Sequence, residues 1–197
     1  MNHREAIGGM WDEIGDLQFN FVKEKGLKPE GYILDIGCGA LRGGVRFINY
    51  LDDYHYFALE KEREILDKGI KNELEDGDDT KFNYNLTGDF EIPEDWPMFD
   101  YMLAQSVFTH LLPEQMIDCL EKAKVKLAKG GKFYATYFDS KENDHGKPHG
   151  WRSNERDFAR YPSEFLIKIG EEAGLKAVNI GGWQHPRDQK MMEYSLA

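Results

Sequence analysis

Short apolar runs alternate with helix-period patterns along almost the whole chain, and this alternation limits the fold more than any other feature. It specifies an α/β architecture on a mostly parallel sheet, because parallel neighbours need crossover connections, usually helices. Trp11, Ile14, Leu17, Gln18, Phe21 and Val22 share one helix face, and Gly26 stops that helix. Residues 32–36 predict a buried strand that runs into Gly37 and Gly39, followed by a helix over 44–50. A second strand over 55–59 ends at Glu60, a charged helix spans 62–74, and further strands are expected over 81–86 and 99–104. The Asp76-Gly77-Asp78-Asp79 run reads as a solvated turn. Pro113 opens an amphipathic helix with Met116, Ile117, Leu120, Ala123 and Leu127 on one face. Gly130-Gly131 is expected to end it before a strand over 132–138. Pro162 opens a helix to Glu172, and runs at 175–180 and 189–196 read as a closing antiparallel hairpin.

The 139–160 stretch, with Asp139, Asn143, Asp144, Gly146, Pro148 and Gly150, breaks this rhythm and is expected to be an active-site loop. The 197 residues suit a single domain, residues 1–30 contributing an N-terminal cover helix. With 25 Lys+Arg against 36 Asp+Glu, the net charge of −11 argues against a nucleic-acid binder or a protein held on anionic lipid. Only two cysteines, Cys38 and Cys119, are present, which excludes a disulfide framework, a four-thiolate metal site and an iron–sulfur cluster. No apolar run approaches the roughly 20 residues of a membrane span. The expected setting is the cytoplasm, with reduced cysteines and a monomer or homodimer.

The strongest local signal is Asp35-Ile36-Gly37-Cys38-Gly39-Ala40-Leu41-Arg42-Gly43-Gly44. A glycine-rich turn from strand to helix lets a cofactor approach the backbone. Glu60, at the end of the next strand, stands where an acid accepts both ribose hydroxyls. The spacing of Gly37, Gly39 and Gly43 also occurs in nicotinamide-dinucleotide folds, and Tyr137 and Lys141 stand four apart. That pair faces one substrate only on a helix, and here it follows a strand. Asp35 beside the turn would repel a pyrophosphate and suits a cationic cofactor, such as S-adenosylmethionine with its ammonium and sulfonium.

The stretch Ile33-Leu34-Asp35-Ile36-Gly37-Cys38-Gly39 resembles the first motif of class I S-adenosylmethionine-dependent methyltransferases. Ala58-Leu59-Glu60 is similar to their second motif, Thr87-Gly88-Asp89-Phe90 to the third and residues 99–111 to the fourth. The passage Leu127-Ala128-Lys129-Gly130-Gly131-Lys132-Phe133 resembles the one before strand five. More narrowly, Leu41-Arg42-Gly43-Gly44 and Trp183-Gln184-His185-Pro186-Arg187 resemble segments of small bacterial methyltransferases. The resemblance implies a Rossmann-like three-layer sandwich with a seven-stranded, mostly parallel sheet whose last strand is antiparallel. It implies S-adenosylmethionine as cofactor and S-adenosylhomocysteine as product. The cofactor would lie on Asp35, Gly37, Cys38, Gly39, Glu60, Lys61, Asp89, Phe90, Gln105 and Ser106. Two features depart from the family: Gln105 stands where Asp or Asn is common, and Leu41-Arg42 where a small residue is usual.

Methyl transfer is an in-line displacement, so the protein mainly aligns the acceptor and excludes water. A hydroxyl acceptor also needs a base. His110, after the fourth motif, His185 in the terminal segment and Tyr137 at the end of strand five are the candidates. Their structural alternatives are a helix cap, a residue packed beside Trp183, and a strand end that satisfies loop backbone. Asp139 also ends strand five. Arg42, Arg152 and Arg187 are candidates for an anionic acceptor, because a guanidinium fork matches carboxylate or phosphate oxygens; their alternative is surface ion pairing. Trp11, Phe19, Tyr161 and Trp183 are candidate pocket walls, with Trp11 otherwise in the helix core. His145 and His149 lack a third ligand and are not read as a metal site. The expected activity is methylation of a small metabolite, most simply on oxygen of a sugar or an anionic compound. The alternatives are an NAD(P)-dependent oxidoreductase or a non-catalytic cofactor-binding protein.

Overall fold

A computed structural model of the chain describes residues 2–140 and 158–197. Two helices come first, α1 (His3–Ala6) and α2 (Trp11–Glu24). Then follow β1 (Ile33–Ile36), α3 (Gly44–Tyr50), β2 (Tyr56–Glu60), α4 (Arg63–Glu73), β3 (Asn83–Leu86) and β4 (Phe99–Ala104). The chain continues through α5 (Pro113–Lys126), β5 (Leu127–Asp139), β6 (Arg160–Tyr161), α6 (Ser163–Glu172), β7 (Leu175–Gly182) and β8 (Lys190–Leu196).

The main sheet runs β3-β2-β1-β4-β5-β8-β7, with β6 paired to β5 off this path. All neighbours are parallel except β8, which is antiparallel to both β5 and β7. The expected seven-stranded sheet with an antiparallel last strand is therefore present. The two-residue β6, which pairs Arg160 and Tyr161 with Phe138 and Asp139, is additional to it. A dinucleotide fold has the parallel order 3-2-1-4-5-6. Insertion of an antiparallel last strand departs from that order.

Strand alternation assigns the two faces of the sheet. Leu34, Ile36, Met102, Ala104, Phe133 and Ala135 pack with Met116 and Leu120 of α5 and Leu166 and Ile169 of α6. Ile33, Ala58, Leu103 and Tyr134 pack on the other face with Val22 of α2, Phe47 of α3 and Leu66 of α4. The result is three layers with β1 buried along its whole length, so the end of β1 meets the helices where side chains converge. None of the helices is long and apolar enough to cross a membrane, among the described residues.

One boundary differs from expectation. Gly130-Gly131 does not end α5, which stops at Lys126, and the pair lies inside β5. The β4–β5 register shifts between Phe99 and Tyr101. Gly130 takes φ +86 there, and a Cβ on Gly131 would stand 2.8 Å from the Phe99 carbonyl oxygen, so the glycines absorb an irregularity in the strand. The Asp76–Asp79 turn is closed by Asp78, whose Oδ1 meets Lys81 Nζ at 2.8 Å. Most of the 139–160 loop, including Arg152, His145, His149 and Lys141, lies outside the described residues.

Candidate cofactor and acceptor site

The carboxyl ends of β1, β2 and β4 open into a cavity of 820 Å³. Parallel α/β sheets bind ligands at this edge, where successive crossovers leave to opposite faces. The turn after β1 forms its floor. Gly37 takes φ +73, and a Cβ there would stand 2.6 Å from Val107 Cγ2, so only glycine fits. On the far side α4 crosses the same turn so closely that a Cβ on Gly69 would lie 2.4 Å from the Ala40 carbonyl oxygen. Leu41 is a buried non-glycine residue at φ +65. That conformation costs roughly 1–2 kcal/mol, opposed here by burial of its whole side chain. This accounts for a large residue where the family pattern has a small one.

Asp35, Gly37, Cys38, Gly39, Glu60 and Lys61 all line the cavity, as do Phe90, Gln105 and Ser106. Asp35 is buried at 3% exposure, and the Tyr56 hydroxyl donates to its Oδ2 at 2.8 Å. No lysine or arginine pairs with Asp35 among the described residues. Burial raises its pKa from 3.8 to about 7, a rise that the Tyr56 hydrogen bond only partly offsets. Burial also pushes the Cys38 thiol well up, so it is a packed thiol rather than a nucleophile. Glu60 Oε2 accepts from Gly39 N–H at 2.7 Å, and its Oε1 accepts from the N–H groups of Lys61 and Glu62, both at 2.9 Å. Glu60 thus staples the glycine turn to the end of β2. Asp89 is not among the lining residues. It is exposed and folds back to accept from the Thr87 hydroxyl at 2.5 Å, while Thr87, Gly88 and Phe90 face the cavity.

The fourth-motif end is built differently. Gln105 Oε1 accepts from Gln18 Nε2 at 3.2 Å and Arg42 Nη2 at 2.8 Å. Arginine has no acceptor, so this contact fixes which way the Gln105 amide points. Gln105 Nε2 donates to Ser106 Oγ at 2.7 Å and lies 3.3 Å from His185 Nε2. His185 does not line the cavity: it sits behind Gln105, stacked on Trp183, with Nδ1 accepting from Arg187 N–H at 3.2 Å. Burial, with Arg42 and Arg187 adding to it, pushes its pKa down to about 4, which leaves the imidazole neutral. Tyr137 is likewise away from the cavity, its hydroxyl donating to Asn179 Oδ1 at 3.0 Å. His110 does line the cavity and lies 5.0 Å from the Phe158 ring, centroid to centroid.

The N-terminal segment covers the cavity. Ala6, Ile7 and Gln18 line it. Both oxygens of Glu73 on α4 accept from Arg4, each at 2.6 Å, and one of them also meets His3. Arg42 Nη1 donates to the carbonyls of Ile7 at 3.4 Å and Gly9 at 2.8 Å, and Arg187 donates to that of Gly8. Trp11 stands under the Arg4 guanidinium, 4.7 Å from its centroid, and packs the cover rather than lining the cavity. Phe19 packs on Phe47 and Tyr50, Trp183 on Phe21, and the Tyr161 hydroxyl donates to the Leu111 carbonyl.

Sequence reasoning missed Gln18 as a site residue, although an amide on an otherwise apolar helix face was the available signal. It also missed Ile7, Tyr56 and Val107, whose roles depend on long-range contacts that no local pattern carries.

No family model matches the chain. Among solved structures it is similar to the CcbJ methyltransferase from Streptomyces caelestis, with TM-score 0.73 and 15% identity over 93% of this chain and 89% of that one. It is also similar to the glycopeptide N-methyltransferase MtfA, with TM-score 0.69 and 13% identity over 92% and 89% of the two chains. A third is the magnesium protoporphyrin IX methyltransferase from Synechocystis PCC 6803 with bound S-adenosylmethionine, at 0.69 and 9% over 94% and 79%. At these identities the likeness is one of fold, and the fold is Rossmann-like, as in these methyltransferases.

Proposed function

We propose that the protein is an S-adenosylmethionine-dependent methyltransferase. The observation that carries this reading is a buried carboxylate, Asp35, that faces the cavity with a hydroxyl for a partner and no directly paired cation among the described residues. Such a group is costly to keep ionised unless a ligand brings positive charge. S-adenosylmethionine fits the donor set: its ammonium matches Asp35, and its ribose hydroxyls match the free lone pairs of Glu60. The open floor at Gly37 and Gly39 and the aromatic Phe90 suit its remaining groups. When bound, it supplies an electrophilic methyl group on sulfonium.

The chain's own residues position and enclose. Ile7 and Gln18 cover the site, and Val107 and Leu111 line the β4 side with apolar surface, which keeps water from the methyl group. The acceptor in this reading is a small metabolite, a sugar or an anionic compound, methylated on oxygen. The carboxylates that line the cavity, Asp35, Glu60 and Glu62, belong to the β1 and β2 ends, whereas the β4 end carries Gln105, Ser106, His110 and Gln115. Of these, His110 is the group able to take a hydroxyl proton at neutral pH. His185, neutral and packed behind Gln105, does not face the methyl group.

The test is transfer of a labelled methyl group across a panel of sugars and hydroxy acids. His110→Ala is expected to lower kcat roughly 100-fold or more with S-adenosylhomocysteine affinity unchanged. Full kcat in the variant would remove His110 as base. Calorimetry that shows NADP, and not S-adenosylhomocysteine, binding would favour the oxidoreductase reading.

A further inference from the structure

Arg42 is the one buried arginine among the described residues, at 5% exposure. Arginine is almost never fully buried unless paired. Yet no carboxylate pairs with Arg42 among the described residues, in a chain with 36 acids against 25 bases. Its partners are the neutral oxygens of Ile7, Gly9 and Gln105, and its Nε is buried without any partner. Asp35 faces the same cavity, but no ion pair joins the two. Arg187 lies near enough to add to the burial that brings Arg42 down to about 10, so a second cation crowds the first. His185, on which both arginines act, is neutral. Asp35 is near enough to hold the Arg42 pKa up in part, but a guanidinium this deep, beside another cation and without a directly paired anion, costs several kcal/mol. It is not surface ion pairing, which was the alternative reading of this residue.

We propose that Arg42 is the counter-cation for a carboxylate carried by a ligand of this cavity. The assignment rests on the methyl-transfer reading for the two places from which that carboxylate comes. One is the amino-acid end of the cofactor, which would set its ammonium on Asp35 and its carboxylate toward Arg42. The other is the methyl acceptor. Both present the same planar, two-oxygen anion to the guanidinium fork. Gln105 and Gln18 keep the fork in place from below, and the carbonyls of Ile7 and Gly9 close over it.

The buried Arg42 Nε–H is a suitable reporter in a proton–nitrogen correlation spectrum, assigned by its loss in Arg42→Lys. The protein is titrated with S-adenosylhomocysteine, with methylthioadenosine (the same nucleoside without the amino-acid end), and then with acetate against acetamide. If the cofactor supplies the carboxylate, the signal shifts with S-adenosylhomocysteine and not with methylthioadenosine. Arg42→Gln then weakens S-adenosylhomocysteine roughly 10- to 100-fold and leaves methylthioadenosine unchanged. If the acceptor supplies it, acetate and not acetamide moves the signal in the protein saturated with S-adenosylhomocysteine, and Arg42→Gln leaves S-adenosylhomocysteine affinity intact. The proposal is overturned if neither carboxylate moves the signal more than its neutral counterpart; Arg42 is then only a strap for the N-terminal cover. Failure of S-adenosylhomocysteine to bind at all would refute the methyl-transfer reading separately, and acetate against acetamide would still decide Arg42.

Discussion

Replacing Asp35 by Asn tests the central electrostatic feature of the site. Burial raises the folded-state pKa of Asp35 to about 7, against an ordinary 3.8. Between these values the folded protein holds a proton that the unfolded chain has lost. Stability therefore falls as pH rises through this window, and the whole penalty is present above it. The difference corresponds to about 4 kcal/mol, an upper bound if the ionised site relaxes or admits water. Asn keeps the shape and still accepts from Tyr56, so Asp35→Asn removes the penalty without opening a cavity. In the ligand-free protein the variant should melt higher than wild type at pH 8, by up to an order of 10 °C. At pH 3, below both values, Asp35 is mostly protonated in both states, and the two should melt within a degree or two of each other, roughly. Affinity for S-adenosylmethionine should move the other way, falling at pH 8 because the cation has lost its counter-ion. Differential scanning calorimetry at the two pH values, with and without S-adenosylhomocysteine, makes the measurement. A variant less stable than wild type at both, or a gain that does not depend on pH, would refute the reasoning.

Two further outcomes follow from the geometry around the turn. Glu60→Gln leaves one oxygen for three backbone N–H groups now shared by two, so a buried donor faces an amide NH2. S-adenosylhomocysteine affinity measured by calorimetry should drop roughly 10- to 100-fold, and an unchanged value would remove Glu60 from the ribose site. Gly69→Ala should gain about 1 kcal/mol from helix propensity alone. The Cβ would instead press on the backbone of Ala40, and overpacking of this kind costs roughly 1–3 kcal/mol. A lowered midpoint in urea denaturation is expected, and a raised one would show that α4 shifts freely.

The alternation of apolar runs was enough to place β1, β2, β4, α3 and the start of α5 within a residue or two, because each is long or bounded by a glycine or proline. β6 escaped notice because two residues carry no period. Gly130-Gly131 was misread as a helix stop because a glycine pair serves a C-cap and a strand irregularity equally well, and only the partner strand decides. At the site, Asp35, the glycines and Glu60 were legible because they are local to strand ends. The N-terminal cover was legible only as a helix, since its attachment runs through Arg4 to Glu73 and through Arg42 and Arg187 to the carbonyls at 7–9. Those contacts join residues 33 to 179 positions apart, beyond the reach of any local pattern.

The same long-range contacts explain why two opposite buried charges, which each shift the other's pKa, form no direct ion pair. Asp35 and Arg42 are seven positions apart on one turn and share one cavity. A direct pair would answer both desolvation costs at once. Tyr56 holds the carboxylate from β2, while Gln105 and the cover carbonyls hold the guanidinium from β4 and the N-terminus. Neutral groups on three separate elements thus keep the charges apart, and the ligand-free fold is less stable for it. Separation at that cost has a physical use only if each charge has a counter-ion to receive, a cation at Asp35 and an anion at Arg42. Asp35→Asn combined with Arg42→Gln should therefore stabilise the ligand-free protein at pH 8 more than it stabilises the liganded one.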